Sequence, residues 1–369
     1  MELIPVLSAT GAGDGLQPLT QYNPSDGSIQ LRDSDSGQLY TLGLAPTDVH
    51  IDSTLATYCA GYNQDKTSLA EKVCPTVPVD KASNYFWTWD IKDAFEYVDR
   101  MEVAGGSLGG VPEIAPRLSS TLYTTKCFAV AGVVPLEVQS NADAPLNPQL
   151  AAASRAMNAQ NLRRELQVKT LLDTSGNWTG GYSTAVIAKW NGGAGSDPIE
   201  DLKLMIRASA QEPNYIVMSR VAYDYFIQHP AVNKYIVKGS MGDTAMANKP
   251  ENANKVSAIL DLPEILVGKM KYRSAATTYS TYIWGNNVFG IYQEPSIPVD
   301  GQRVMTCKNF RWTGPQVSPD GSSVSGFYVR RYFDPRRGPY GAWIVVVVVN
   351  EAPTMTSVYV GGRITGAYA

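Results

Sequence analysis

Trp343–Asn350 reads WIVVVVVN, one isoleucine followed by five consecutive valines. A membrane-crossing helix needs roughly 20 apolar residues, and the apolar run from Ala342 to Val349 is far shorter than that. β-Branched side chains are stiff at χ1 and favour extended backbone, so the segment is expected to be a strand. Its lack of polar alternation implies that both faces are covered, or that one face meets another chain.

The surrounding composition fits a strand-rich molecule. Charged residues make up 18% of the 369-residue chain, while glycine (32), proline (23) and tyrosine (21) are plentiful, which favours strands and turns over helical bundles. The expected class is α+β, in about two domains. A net charge of −3 without a long basic run excludes a broad face that grips a nucleic acid backbone. Cys59, Cys74, Cys127 and Cys307 show no C-x-x-C spacing and are read as reduced thiols in a cytoplasm-like setting. The opening MELIPVLSATGAGDG carries Glu2 where a secretion signal would carry positive charge. No membrane partner is expected.

Residues 1 to about 80 are rich in Gly, Pro, Ser, Asp and Thr, apart from a hairpin-like pattern around Ile29 to Leu42. So much irregular chain is either disordered or an arm ordered by contact with something else. Residues 85 to 98 (YFWTWDIKDAFEYV) and 118 to 138 are expected strands flanking the glycine-rich AGGSLGGVPEIAPR. An isolated hairpin is marginal in water and needs a surface to lie on. Asn147 then caps a helix with Pro148 in first position, expected to run to about Asp173. Leu150, Ala153, Met157, Val168, Leu171 and Leu172 fall on one side of it, and Leu162 and Leu166 on another, as in a strut with partners on two sides.

Further on, Asp197-Pro198-Ile199-Glu200 is a capping-box-like helix start with Ile199, Leu202 and Ile206 facing inward. A strand at Tyr215–Met218 leads to a helix capped by Ser219, ending near Phe226 before His229-Pro230. A helix over Asn254–Leu260 and a strand over Ile265–Gly268 follow. TYIWGNNVFGIY is read as a hairpin turning at Gly285-Asn286-Asn287. After residue 304 the chain is expected to be strands again.

Little in the sequence carries chemistry. His50 and His229 are the two histidines, too few for an evident histidine base or zinc site. Gly11–Gly15 precedes no helix, and Gly192–Gly195 lacks the Lys-Ser/Thr pair of a phosphate loop. Asp90, Asp93, Glu96, Asp99 and Glu102 suit a charged or inter-subunit face better than a glycosidase pair or calcium site. Arg330 and Arg331 are adjacent, so in a strand they point to opposite faces and form no single basic track. Arg336 and Arg337 beside Asp334, in DPRRGPYG, read as an exposed contact point. No catalytic residue, metal ligand or cofactor is expected.

Four segments in order carry a resemblance: KWNGGAGSDPIEDLKLMI, PNYIVMSRVAYDYFIQHPAVNKYI, ILDLPEILVGKMKY and YIWGNNVFGIYQEP. With the arm, hairpin and strut helix before them, the chain resembles the major capsid proteins of tailed bacteriophages, the Hong Kong 97-like fold. The resemblance implies an N-terminal arm (1–84), an extended loop (85–138) and a peripheral domain (139–185 and 301–369) with a spine helix (147–173). It also implies an axial domain (186–300). It further implies hexamers and pentamers in an icosahedral virion shell enclosing double-stranded DNA without sequence-specific binding, built in a bacterial cytoplasm. A separate scaffolding protein, a portal protein and a decoration or cement protein are the implied partners. A chain starting at Met1 is expected to be unprocessed. Some relatives weld subunits by a Lys–Asn isopeptide bond from the loop; Asp99–Arg117 holds no lysine, and Lys92 and Lys126 lie in the stems, so a non-crosslinked shell is expected.

The inter-subunit contacts are assigned to Asp334, Arg336 and Arg337 and to Asp99, Arg100 and Glu102. The alternatives are an encapsulin-type nanocompartment shell and, from another class, a hydrolase using the acidic residues near the hairpin.

Overall fold

The computed structural model describes residues 16–23, 28–33, 39–42, 50–51, 68–89, 118–142, 147–193, 195–238, 249, 252–273, 281–294, 304–314 and 327–368. In chain order the strands begin with β1 (Leu16–Asn23), β2 (Ser28–Asp33), β3 (Leu39–Leu42) and β4 (His50–Ile51). A one-turn helix α1 (Ala70–Val73) precedes β5 (Thr76–Val79), β6 (Ser83–Trp89), β7 (Leu118–Thr124) and β8 (Lys126–Pro135). Helices α2 (Leu136–Ser140) and α3 (Pro148–Asp173) lead to β9 (Tyr182–Ala185), α4 (Pro198–Ala208), β10 (Tyr215–Ser219), α5 (Arg220–Gln228), α6 (Pro230–Lys238) and α7 (Ala253–Leu260). The rest is strand: β11 (Glu264–Gly268), β12 (Lys271–Tyr272), β13 (Thr281–Tyr282), β14 (Val288–Ile291), β15 (Cys307–Trp312), β16 (Phe327–Asp334), β17 (Ala342–Met355) and β18 (Gly362–Thr365).

The chain divides into two compact units, one of residues 1–59, 129–156 and 327–347, the other of 60–128, 157–326 and 348–369. In the first, β1, β2 and β3 form an antiparallel sheet in which Ile29 opposes Leu42. The hairpin-like pattern around Ile29–Leu42 is thus formed, and β1 adds a strand that the polar LQPLTQYN did not announce. β4 pairs β16, and Phe333 meets Trp343 edge-on at 5.4 Å. Gly341, at φ +82, takes a conformation that disfavours any side chain, and a Cβ there would collide with the Phe333 ring.

The second unit is built on a mixed sheet ordered β11-β10-β14-β18-β9, with β10/β11 and β18/β9 parallel. Period-two alternation sorts β10 between two cores. Ile216 and Met218 face a cluster with Leu202, Met205, Phe226, Ile236 and Val256 from α4 to α7. Val217 faces the opposite cluster with Val73, Val168, Leu172, Trp178 and Trp284. A strand buried on both sides reads as a continuous apolar run, which is why YIVM shows no alternation.

Helix α3 begins where Asn147 and Pro148 place it. Asn147 Oδ1 accepts from the amides of Gln149 and Leu150, each at 3.2 Å. Ala153, Met157, Val168 and Leu172 are fully buried, while Leu162 and Leu166 are half-buried on a second side. Asp197 caps α4 by accepting from Ile199 N (3.1 Å) and Glu200 N (3.3 Å), but Glu200 pairs with Arg207 instead of closing a reciprocal box. Ser219 caps α5 at Ala222 N, 3.1 Å. Helix α5 stops at Gln228, before His229-Pro230 as expected, and Pro230 opens a new helix, α6, its fixed φ suiting a first helical position.

Three expectations need correction. TYIWGNNVFGIY is not a hairpin, because β13 pairs β12 whereas β14 pairs β10 and β18. The turn instead drives Trp284 into the core against Gly268, where a Cβ would clash with the indole. The stretch 118–138 is broken at Thr125 and ends in α2. Strand β18, expected with the segment 301–369, joins the sheet of β10 and β14.

The valine run lies in β17, a 14-residue strand. Ala342, Ile344, Val345, Val347 and Val349 are buried, and Val346 and Val348 half-buried. One face is thus covered fully and the other in part. Each fully buried valine contributes on the order of 1.5 kcal/mol.

Candidate functional site

Three consecutive residues of α3, Arg163, Arg164 and Glu165, organise the polar interior of the second unit. At about 100° per residue, three neighbours on a helix reach different partners. Arg163 and Arg164 both reach Glu351 of β17. Arg164 Nε donates to Oε2 at 3.1 Å, and Arg163 Nη2 donates to Oε1. From β15, paired in register with Glu351, Arg311 Nη2 stands 3.6 Å from Oε2 and Asn309 Nδ2 donates to it at 3.2 Å. Arg163 also holds Gln160 and Gln167 and lies 3.7 Å over the Phe128 ring.

Burial alone would raise the Glu351 pKa, but Arg164, Arg163, Arg311 and Asn309 outweigh it and hold the carboxyl at about 2. Burial, with Arg164 nearby, lowers Arg311 to about 10. A carboxylate this acidic is a poor general base at neutral pH. The cluster is a structural junction between helix and sheet.

Glu165, fully buried, does different work. Its Oε2 accepts from Ala70 N at 2.8 Å, Leu69 N at 3.2 Å and Ser68 Oγ at 3.0 Å, and Oε1 accepts from Trp284 Nε1 at 2.6 Å. Helix α1 has no side-chain cap of its own; Glu165 supplies it from about a hundred residues away. Burial raises the Glu165 pKa, and the hydrogen bonds from Trp284, Ala70, Ser68 and Leu69 oppose that rise.

The surface feature is the β6/β7 hairpin. Its pairing sets Tyr85 opposite Leu122 and Asn84 opposite Tyr123. One face is anchored: Phe86 and Tyr123 pack with Phe310, the last two rings stacked at 4.5 Å. The other face presents Tyr85, Trp87 and Leu122, 63%, 57% and 51% exposed. Beside it opens a groove of about 850 Å³ lined by Leu122, Phe128, Leu162, Leu166 and Pro353 among others. Large exposed aromatics on an isolated two-stranded ribbon mark a contact surface.

Of the residues assigned to inter-subunit contact, Asp334, Arg336 and Arg337 share one exposed turn. Arg336 N donates to Asp334 Oδ1 at 3.0 Å, and Arg337 Nε lies 3.7 Å from Oδ2. Asp99, Arg100 and Glu102 fall outside the described residues, as do Asp90, Asp93, Glu96 and Lys92. Lys126 is exposed at the start of β8. His50 opposes Arg331 in the β4/β16 pair. His229 is buried at the α5–α6 junction, its Nδ1 accepting from Ala231 N at 3.2 Å; burial lowers its pKa against the pull of Asp197 and Asp201. Among the described residues no group of three or more His, Cys, Asp or Glu could hold a metal ion, and no helix is long and apolar enough to cross a membrane.

Sequence reading missed Glu165, Glu351 and Arg311. The signal available was charge inside otherwise apolar or strand-like segments: RRE within the helix, Arg311 in NFRW and Glu351 closing the valine run.

No family model matches the chain. It is 22% identical over 249 residues to the major capsid protein of Pseudomonas phage JBD67, covering 66% of this chain and 77% of that protein. It is 29% identical over 167 residues to the major capsid protein of Burkholderia phage BcepMu, covering 43% of this chain and 50% of that protein. Among solved structures, a phage-related protein from Bordetella bronchiseptica RB50 matches with a TM-score of 0.64 at 18% identity, covering 86% of this chain and 98% of that one. The capsid of cyanophage P-SCSP1u matches with a TM-score of 0.51 at 11% identity, covering 82% of this chain and 89% of that one. The chain is similar in sequence to phage major capsid proteins, and its mixed helix-and-sheet fold is structurally similar to the Hong Kong 97-like fold of phage capsid proteins.

Proposed function

We propose that this chain is a major capsid protein, many copies of which assemble into the icosahedral head shell of a tailed phage around its double-stranded DNA. The observation that carries the reading is the β6/β7 hairpin, anchored on one face by Phe310 and presenting Tyr85, Trp87 and Leu122 to solvent on the other. A subunit that leaves such a face bare completes its packing on a neighbour. Heterologous contacts of that kind, repeated around rotation axes, close rings and shells. The similarity to two phage major capsid proteins supports the same conclusion.

In this reading 1–84 is the N-terminal arm, 85–138 the extended loop and 147–173 the spine helix. Residues 139–185 and most of 301–369 form the peripheral domain, with β18 contributed to the axial domain of 186–300. The subunits form hexamers and pentamers, assembled in the host cytoplasm with a separate scaffolding protein, a portal and a decoration protein as partners. Its activity is structural, with no catalytic centre. Expression with the candidate scaffold, followed by electron microscopy, tests it. Uniform closed particles are expected; a stable 40 kDa monomer under all assembly conditions would refute it.

A further inference from the structure

Outside the junctions already described, two thiols meet in the interior. Cys74 follows α1 and Cys307 opens β15; both are almost wholly buried in one core cluster. Strands β5 and β15 are parallel with Thr76 opposite Asn309, so two residues earlier the register sets Cys74 against Cys307. Asn309 N donates to Pro75 O at 2.9 Å, which keeps the ladder closed up to that point. Cys307 Sγ donates to Val73 O at 3.1 Å, and Gln293 Nε2 reaches Cys307 O at 3.3 Å. Cys307 Sγ therefore lies against the backbone of the residue that immediately precedes Cys74.

A single buried cysteine is ordinary core filling. Two thiols juxtaposed from segments 233 positions apart constitute a site. We infer that Cys74 and Cys307 are a redox-responsive pair that closes to an intrachain disulfide, fastening the segment that enters the second unit to β15.

With hydrogen peroxide as oxidant the step balances. One thiolate sulfur attacks a peroxide oxygen and the O–O bond breaks, giving a sulfenic acid and hydroxide, which takes up the proton released from the first thiol to form water. The second sulfur then displaces the sulfenic oxygen, which leaves as water with the second thiol's proton. Two S–H bonds are lost, one S–S bond forms, and peroxide is reduced to two waters. Burial, and the Cys307 side chain beside it, raise the Cys74 pKa, so the thiolate is scarce and closure awaits local opening of residues 68–74. On the capsid reading, on which this clause alone rests, the dithiol belongs to assembly in a reducing cytoplasm and the disulfide to the released particle.

The experiment uses the full chain with Cys59→Ser and Cys127→Ser, so that only the pair remains. The protein is treated with hydrogen peroxide or with dithiothreitol, alkylated in denaturant, and digested with trypsin. After peroxide the peptides Val73–Lys81 and Val304–Lys308 are expected as one cross-linked species, with faster migration on a non-reducing gel. A rise in Tm of about 5 °C should accompany it, and Cys74→Ala should abolish both effects. Two alkylated thiols, or sulfonic acids without the linked peptide, would overturn the inference. If the double-serine background does not fold, the same peptide map on the unsubstituted chain decides. Neither readout depends on assembly.

Discussion

Glu165 and Trp284 stand 119 positions apart and share a 2.6 Å hydrogen bond from the indole nitrogen to a fully buried carboxylate. The same carboxylate caps α1, so one side chain joins three segments of the second unit. Glu165→Ala leaves buried donors at Leu69, Ala70 and Trp284 without their acceptor, each costing roughly 1–3 kcal/mol. A loss of about 3 kcal/mol or more is expected in urea unfolding, and about 1 kcal/mol for Trp284→Phe beyond its packing loss. An Ala variant within 1 kcal/mol of the unsubstituted protein would show that the carboxylate does not organise this region.

Glu351 and Glu165 respond to acid with opposite signs. Glu351 is held at about 2 against an ordinary value of 4.5, so its contribution is complete above 4.5 and is lost as the pH falls toward 2. Glu165 is raised by burial; its folded form binds protons more readily than its unfolded form, so its contribution grows as the pH falls through its folded pKa. Glu351→Gln strands Arg163, Arg164 and Arg311 around a neutral amide and should cost about 3 kcal/mol or more at pH 7. Melting curves from pH 7 to pH 3 test the sign: the gap between Glu351→Gln and the unsubstituted protein should narrow below pH 4.5, and a constant gap would contradict it.

Tyr85 and Trp87 are expected to serve assembly rather than folding. Because both side chains are mostly exposed, Tyr85→Ser/Trp87→Ser should change subunit stability by about 0.5 kcal/mol or less while abolishing particles in sedimentation. Phe310→Ala, on the anchored side, should instead destabilise the subunit by about 3 kcal/mol. Normal particles from the double serine variant would remove the hairpin face from the contact.

The Asp334–Arg337 turn is exposed and internally hydrogen-bonded through Asp334. Arg336→Ala/Arg337→Ala should leave the melting temperature within about 2 °C and reduce particle yield. Full yield would exclude this turn as a contact between subunits.

Particles boiled in detergent should run as a single band near 40.0 kDa, since residues 99–117 contain no lysine for an isopeptide weld. A ladder of multimers would locate a crosslink elsewhere, with exposed Lys126 the first residue to replace.

Local signals were legible where the local chain decides the outcome. Asn147-Pro148, Asp197-Pro198 and Ser219 start helices because caps act over two or three residues, and the valine run could only be extended. The Trp284 turn was misread because its outcome is set at long range. Gly285-Asn286-Asn287 suits a hairpin locally, yet Trp284 gains a buried acceptor in Glu165 and a Cβ-free seat at Gly268. The ionic junction was invisible for the same reason: Arg163, Arg311 and Glu351 meet only after β15 and β17 pair beside α3. Asp99, Arg100 and Glu102 lie outside the described residues, and of the two assigned contact groups the described one is the 334–337 turn.

The adjacency of Arg163, Arg164 and Glu165 limits how this protein can vary over generations. Val168 and Leu172, about one and two turns after Glu165, are buried in the same core, so the tripeptide and the apolar stripe are in phase only at the present spacing. Inserting one alanine after Glu165 would leave helix propensity almost unchanged. It would still rotate Val168 and Leu172 by about 100° from their seats. Lineages of this chain can exchange residues along the helix freely by comparison, but its length at this point is fixed, and divergence in length must be confined to exposed connections such as 335–340.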